Sequence, residues 1–433
     1  MRPIPSLAAA LLLGIASAHA GVLVVDAANG PGTDFTSLST AISAAQNGDL
    51  LLMRSGTYDG EFRILDKAIS IVADAGANVV VTNSLLAPTA IATLEVTGTI
   101  PGTVVLRDLT LTAVLPSSGP FSQSPLRINP AGAAAHVFIE GCLAPSRGGG
   151  GFWLEGNAPI TVSRCAGQGT DGAFLALGGE HQAQAGITLF SGQVAMFASA
   201  FRGGDGRDAV VSSASAFSGA VGAPGLRIFT GLTSQSLFSD SPFEGGMGGD
   251  GLQAGATCLA PGNGGAGIES VFGTAHVVQT AGVGGPPGTP VPSCGQTGQT
   301  GNAISVTFLG QPPIPLAGQP GRAITPPPRR EGEATTITVE GPPSHTAFLV
   351  VGYAPTRVFA PQFAGVLATT PSAILALGNL PPSGAIPLST FAPTLPVGVE
   401  SAMAFVQPIT QHPTTGQATL GAPSVLVLLD AGL

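Results

Sequence analysis

Between about residue 60 and residue 310 the sequence offers one short apolar run after another, each stopped by Gly, Pro, Asn or Ser, with no helical period. "AISIV", "NVVVT", "TVVLRDLTLTA", "HVFIEG", "ITVSR", "GITLF", "LRIF" and "AISVTFL" are examples. Such runs read as strands, and many short strands either alternate in an antiparallel sandwich or coil in one direction as a solenoid. An internal repeat decides between them. "SAFRGGDGRDAV" at 199–210 aligns without gaps on "SPFEGGMGGDGL" at 241–252, an offset of 42, and looser copies start at Arg164, Ala216 and Asn263. The repeat favours a coiled β-structure with turns of unequal length, the offset spanning about two coils. Gly is expected at its corners, where the backbone bends into positive φ and adjacent coils approach closely.

The same geometry accounts for a composition of 44% hydrophobic but only 9% charged residues, because inward side chains are buried and Ser, Thr, Gln and Asn suffice outside. Gly 63 and Pro 38 make up near a quarter of 433 residues, yet no strict every-third-Gly period runs through the chain, which excludes collagen. The formal charge is −9, and the 15 basic residues are scattered apart from Arg329-Arg330. Nothing here neutralises a run of phosphates, so nucleic-acid binding is excluded.

Residues 1–20 carry Arg2, an apolar run from Leu7 to Ala16 and a small-x-small site at Ala18-His19-Ala20, the pattern of a secretory signal peptide. The run is too short to span a bilayer, so no membrane span is expected after cleavage and the mature chain is expected outside the cell or on its surface. In that oxidising setting Cys142, Cys165, Cys258 and Cys294 allow two disulfides in three connectivities, of which Cys142–Cys165 and Cys258–Cys294 are favoured. The first joins two similar segments that would stack, and the second staples a Gly/Pro-rich loop. Neither a CxxC nor an HxxxH occurs, so zinc is not expected.

After the cleavage site, Leu38, Ala41, Ile42 and Ala45 recur at helical spacing, with Thr36 or Ser37 as cap and Asn47-Gly48 as stop. One short helix results. The Pro-rich stretch 311–333 reads as a stiff linker, and 334–433 holds strand candidates joined by Pro- and Gly-bearing turns, the pattern of a small antiparallel β-sandwich. The expected organisation is therefore a signal peptide at 1–20, a coiled β-domain at 21–310, the linker, and the sandwich.

The segment from Asp34 to Gly76, through "DFTSLSTAISAAQNGDLLLMRSGTYDGEFRI", resembles the entry region of right-handed parallel β-helix proteins of the pectin-lyase-like superfamily, in which it supplies a capping helix and the first coil. The resemblance implies an all-β fold: a right-handed parallel β-helix with an N-terminal capping helix. It implies no catalytic residue. The superfamily's esterase, polygalacturonase and lyase motifs are all missing, which leaves "GTYDGE" at 56–61 as a shared structural turn, while the Gly-Asp rungs and the C-terminal domain look like those of exported bacterial surface proteins.

Candidate chemistry is thin. Asp205 and Asp208 lie at a glycine-rich repeat beside Arg202 and Arg207, as a carboxylate pair for glycoside chemistry or as a solvated turn with local ion pairs. Glu61, with Asp59 and Asp66 nearby, sits in the structural turn. "GGDGRDAVV" and "GGMGGDGLQ" match the calcium-binding nonapeptide of β-rolls, which makes Asp208 and Asp250 candidate calcium ligands if their coils stack, and otherwise plain turn residues; no other cofactor is indicated. Trp153, the only Trp, is either a sugar-stacking platform or a core plug. His136, His181, His276, His345 and His412 have no nucleophile motif near them.

Three functions stay open. The first is a secreted, non-catalytic structural or surface-interaction protein built on a rigid column. The others are a diverged polysaccharide-active enzyme and a non-catalytic carbohydrate-binding protein. The expected partners are extracellular polysaccharide or cell-envelope components.

Overall fold

The computed structural model describes residues 21–84, 92–113, 124–132, 134–145, 151–174, 180–190, 192–211, 216–230, 236–273 and 275–433. The signal-like segment 1–20 and Gly148 to Gly150 lie outside the described residues. Among those described, three parallel sheets wind together: ten-stranded sheet A from Val22–Val25 to Ile314–Pro315, eight-stranded sheet B from Gly56–Asp59 to Gly282–Val283, and eight-stranded sheet C from Phe62–Leu65 to Ile304–Gly310. The chain visits them in turn. Thr103–Arg107 lies in A, Leu109–Ala113 in B, Ser124–Ala131 in C, and His136–Glu140 returns to A beside Thr103–Arg107, parallel and in register. This is a right-handed parallel β-helix.

Ala195 pairs with Leu237, Phe201 with Phe243 and Leu226 with Ile268, each at an offset of 42. The repeat is therefore one coil, not the two expected. A coil here holds three strands plus a long glycine-rich excursion between sheets B and C, and the excursion supplies the extra length. The tight corner lies elsewhere, between sheets A and B, where single residues turn the chain: Asp108, Gly141, Arg164, Ala198, Asp240 and Gln279 have φ between 45° and 63°. Only one is Gly.

Apolar side chains from all three sheets fill the column, with Leu51, Ile71, Leu94, Leu106, Leu126 and Ile139 among the fully buried. A helix at Leu38–Ala44 closes the N-terminal end by burying Leu38, Ala41 and Ile42. Its Ser37 cap makes no side-chain hydrogen bond. Its C-terminal carbonyls are satisfied instead by Lys67, the only lysine, whose Nζ donates to Ile42, Ser43 and Ala45 at 2.7–2.9 Å.

Residues beyond 321 form a β-sandwich, with Arg322–Ile324, Ala334–Glu340 and Ala385–Phe391 in one antiparallel sheet. The other contains Thr346–Gly352, Ala373–Asn379, Ser401–Gln411 and Ser424–Leu429. The sandwich lies on sheet A: Phe405, Val425, Val427 and Leu429 pack on Val22, Leu50, Leu52, Val72, Val105 and Phe138. This is why sheet A strands such as Leu50–Met53 and Ile160–Ser163 are buried on both faces. The Pro-rich stretch 311–333 carries Ile314–Pro315 in sheet A and Arg322–Ile324 and Arg329–Arg330 in the sandwich, so it is built into both bodies.

A polar staple sits inside the apolar contact. Fully buried Glu140 accepts from the Val425 N–H at 2.9 Å and from Ser424 and Arg164, while Arg107 donates to the carbonyls of Val425 and Pro326. Arg107 Nε lies 3.7 Å from Glu140, so two charges that would be costly alone are paired beneath the sandwich.

Candidate functional site

The glycine-rich excursions stack into a lobe held chiefly by backbone hydrogen bonds. Gly203, Gly206 and Ala209 donate to the carbonyls of Glu244, Met247 and Asp250 on the next coil, and Gly219, Gly222 and Gly225 donate to Ala260, Asn263 and Ala266. Bonds between outgoing and returning segments come from the adjacent residues: Ala220 to Arg207, Ala223 to Gly204, Gly246 to Ala223, Gly249 to Ala220, Gly262 to Gly249, and Gly265 to Gly246. Each set recurs every third residue. That is the repeat of the polyproline II helix, which has no internal hydrogen bonds and bonds only to neighbours.

Two positions in three thus face another backbone, which is the physical meaning of Gly-Gly-x. A Cβ on Gly246 would meet the Gly204 carbonyl oxygen at 1.9 Å, and one on Gly249 that of Arg207 at 1.8 Å. The expected close approach is present here, whereas the expected positive φ is not, since Gly246 and Gly249 are absent from the left-handed residues.

The third position points outward and carries Asp205, Asp208 and Asp250, which the sequence singles out, as well as Asp171, which it does not. Asp171 accepts from the Asp205 N–H at 2.8 Å, Asp205 from Met247 at 2.7 Å, Asp208 from Asp250 at 2.9 Å, and Asp250 from Thr289 at 2.6 Å. Each carboxylate caps a donor one coil on that the glycine ladder leaves unused. Asp205 also pairs with Arg202 at 2.6 Å. Asp205 and Asp208 each link their coil to the next, and Glu61 lies exposed on the first coils.

Asp208 and Asp250 do stack on neighbouring coils, but an oxygen of each is spent on a backbone N–H. No group of three or more His, Cys, Asp or Glu that could hold a metal occurs among the described residues.

Cys258 and Cys294 form a disulfide with Cα atoms 5.6 Å apart, tying two coils together near the end of the lobe. Cys142 and Cys165 are free, buried thiols rather than the expected second bridge. Parallel in-register stacking holds neighbouring Cβ atoms at the strand spacing of about 4.8 Å, wider than the ~3.8 Å a disulfide prefers. Both occupy a ladder that continues as Ser199, Ser241 and Thr280. In each case the Sγ or Oγ donates to the carbonyl two residues back: Glu140, Ser163, Phe197, Ser239 and Val278. Burial, reinforced by Cys165, pushes the Cys142 thiol well up, so it is a poor nucleophile.

Trp153 lies on the outer face of sheet C, 37% exposed, and is not a core plug. It begins an aromatic ladder that sequence reading missed: Trp153–Phe190 at 4.9 Å, Phe190–Phe229 at 4.8 Å, Phe229–Phe272 at 6.4 Å and Phe272–Phe308 at 5.9 Å between centroids. Its only trace in the sequence is a Phe recurring at coil-length offsets of 39, 43 and 36. The rings mostly stack on one another, so their faces are used within the ladder and their edges form an outward ridge. Towards the N-terminal end the same sheet face is charged. Arg63 and Arg127 each pair with Glu95 at 3.1 Å, Arg127 pairs with Glu155, and Trp153 Nε1 donates to Glu155 at 3.1 Å.

A trough of about 650 Å³ runs along the outside of sheet B, beside the root of the lobe. Leu143, Pro145, Pro242 and Val283 give it an apolar lining, and Gln168, Arg202 and Glu244 stand in register along it on successive coils. Arg202 Nε lies 3.8 Å from Glu244. Neither Gln168 nor Glu244 is recognisable from sequence, because their alignment depends on coil lengths that differ from turn to turn.

Neither a family model nor a curated protein sequence matches the chain. Among solved structures it is similar to pectin methylesterase PemA from Erwinia chrysanthemi, at 10% identity and a TM-score of 0.39, over 61% of this chain and 79% of that one. The fold rests on the sheet registers above.

Proposed function

We propose that this chain is an exported, non-catalytic surface-interaction protein whose column carries an extended polysaccharide in the trough of sheet B. The observation that carries the non-catalytic reading is that Asp171, Asp205, Asp208 and Asp250 each accept a backbone N–H from the next coil. Hydrolysis of glycosides needs one carboxyl held protonated opposite a second, and these acids are instead links in a ladder. Export is supported by the signal-like segment 1–20 and by the Cys258–Cys294 disulfide, which belongs to an oxidising compartment.

The ligand class follows from the trough. It crosses five coils, or about 19 Å at roughly 4.8 Å per coil, too long for a small metabolite and suited to a polymer lying along the axis. An apolar floor with a line of Gln168, Arg202 and Glu244 offers contact for sugar rings and hydrogen bonds for their hydroxyls.

Affinity electrophoresis through gels containing neutral or acidic polysaccharides tests the reading. The wild-type chain is expected to be retarded by at least one polymer, Gln168→Trp, which fills the trough, is expected to run freely, and the polymer is expected to gain no new ends. Retardation unchanged by Gln168→Trp, or the appearance of cleaved product, would contradict it.

A further inference from the structure

The two ends of the column are unlike. At the N-terminal end Leu38–Ala44 packs against Phe62–Leu65, the first strand of sheet C, and is anchored there by Lys67. At the other end the last strand of sheet C, Ile304–Gly310, pairs on one side with Ile268–Gly273, and no strand pairs with its far edge among the described residues. An open edge with unpaired backbone groups is a template for another strand.

Three further observations say what fits there. First, this terminal coil exposes residues that are buried on every coil before it. Ile304 and Val306 continue the inward row of Leu226, Ile228, Ile268 and Ser270, yet they are 44% and 45% exposed. Second, the aromatic ladder stops unfinished. Every earlier ring has the next coil's ring beyond it, but Phe308 is 86% exposed, held outward at a bulge by a left-handed backbone with φ of 50°. Third, residues 270–321 contain no Asp, Glu, Lys or Arg, in a chain of formal charge −9. That stretch brings no like charges against each other when two copies meet there.

We propose that the open C-terminal end of the column is a two-fold interface on which a second copy of this chain docks tail to tail. A dyad across the end reverses strand direction, so the two Ile304–Gly310 strands meet antiparallel and join two sheets C into one. Phe308 of each copy supplies the ring that the other's ladder lacks. The helix at the N-terminal end bars head-to-tail addition, so association stops at a dimer rather than growing into a filament. This assembly is independent of the trough, which lies on sheet B.

Sedimentation velocity of the full chain over a range of about 1–100 µM tests it, with Phe308→Asp and Leu309→Asp as variants. Both side chains are largely exposed, so the variants should keep the wild-type melting temperature. The wild type is expected to pass from monomer to dimer within that range. Either variant is expected to weaken association at least about a hundredfold, because a charge would be buried unpaired in the interface. A wild type that stays monomeric at 100 µM, a dimer untouched by Phe308→Asp, or species that grow beyond the dimer would each overturn the proposal.

Discussion

Gly246 and Met247 are neighbours in the chain, but their surroundings differ completely. A methyl group on Gly246 would sit 1.9 Å from the Gly204 carbonyl oxygen, and relieving the clash would require two coils to separate. Met247 is 37% exposed on the lobe surface. Gly246→Ala is expected to cost about 1–3 kcal/mol, the range of overpacking against an unyielding neighbour, and Met247→Ala less than about 0.5 kcal/mol. Denaturant titration of the two variants checks the pair, and equal losses would contradict the stacked backbone. The same contrast explains what could be read from residues alone. Gly-Gly-x is visible in "GGMGGD", but whether its glycines serve bends or contacts is not, because contact needs a partner 42 residues away. Asp205, Asp208 and Asp250 were legible as candidates for the same reason that their role was not: an acid in a glycine run looks alike whether it binds an ion or caps the next coil.

At the scale of elements, sheet A shows how one strand serves two bodies. His136 opens the strand His136–Glu140, 5% exposed, with Nε2 3.1 Å from Thr161 Oγ1. Burial holds its pKa down to about 4, with the positive charge of Arg357 acting in the same direction. The unfolded chain takes up this proton near pH 6.5, while the folded chain resists it until about pH 4. Between those values the unfolded state binds more protons, so folding stability falls as pH falls, by up to about 3 kcal/mol from this group. His136→Gln is expected to remove that part of the slope, measured by denaturant titration from pH 7 to pH 4. An unchanged slope would place the proton uptake elsewhere. Strand identity in this region was legible, since "HVFIEG" and "ITVSR" are apolar enough to be buried twice. The cover was not: a Pro-rich stretch reads as a linker until Arg322–Ile324 and Arg329–Arg330 are seen paired in the sandwich.

For the whole molecule, a local entry motif and a repeat were enough to indicate a one-way coil with a capping helix, because both are set by nearby residues. The pitch was not fixed by either. An offset of 42 suits two lean coils or one coil with a lobe, and pairings such as Phe201 with Phe243 distinguish them. The unmade Cys142–Cys165 bridge follows from the same stacking, which keeps successive side chains parallel. The trough, the aromatic ridge and the open terminal strand are also products of register, with residues drawn from coils of unequal length. Function in such a column is carried by rows along its axis, and rows are what a single chain conceals.

Native-state amide hydrogen exchange resolved to single residues in the lobe tests the account most directly. Gly204, Gly206, Gly246, Gly249, Gly262 and Gly265 belong to no strand, yet each N–H is bonded to a neighbouring segment. They are predicted to exchange as slowly as the strands of sheet B beside them. Exchange of these six amides at the rate of an open loop, while sheet B stays protected, would contradict the stacked lobe and the one-coil repeat built on it.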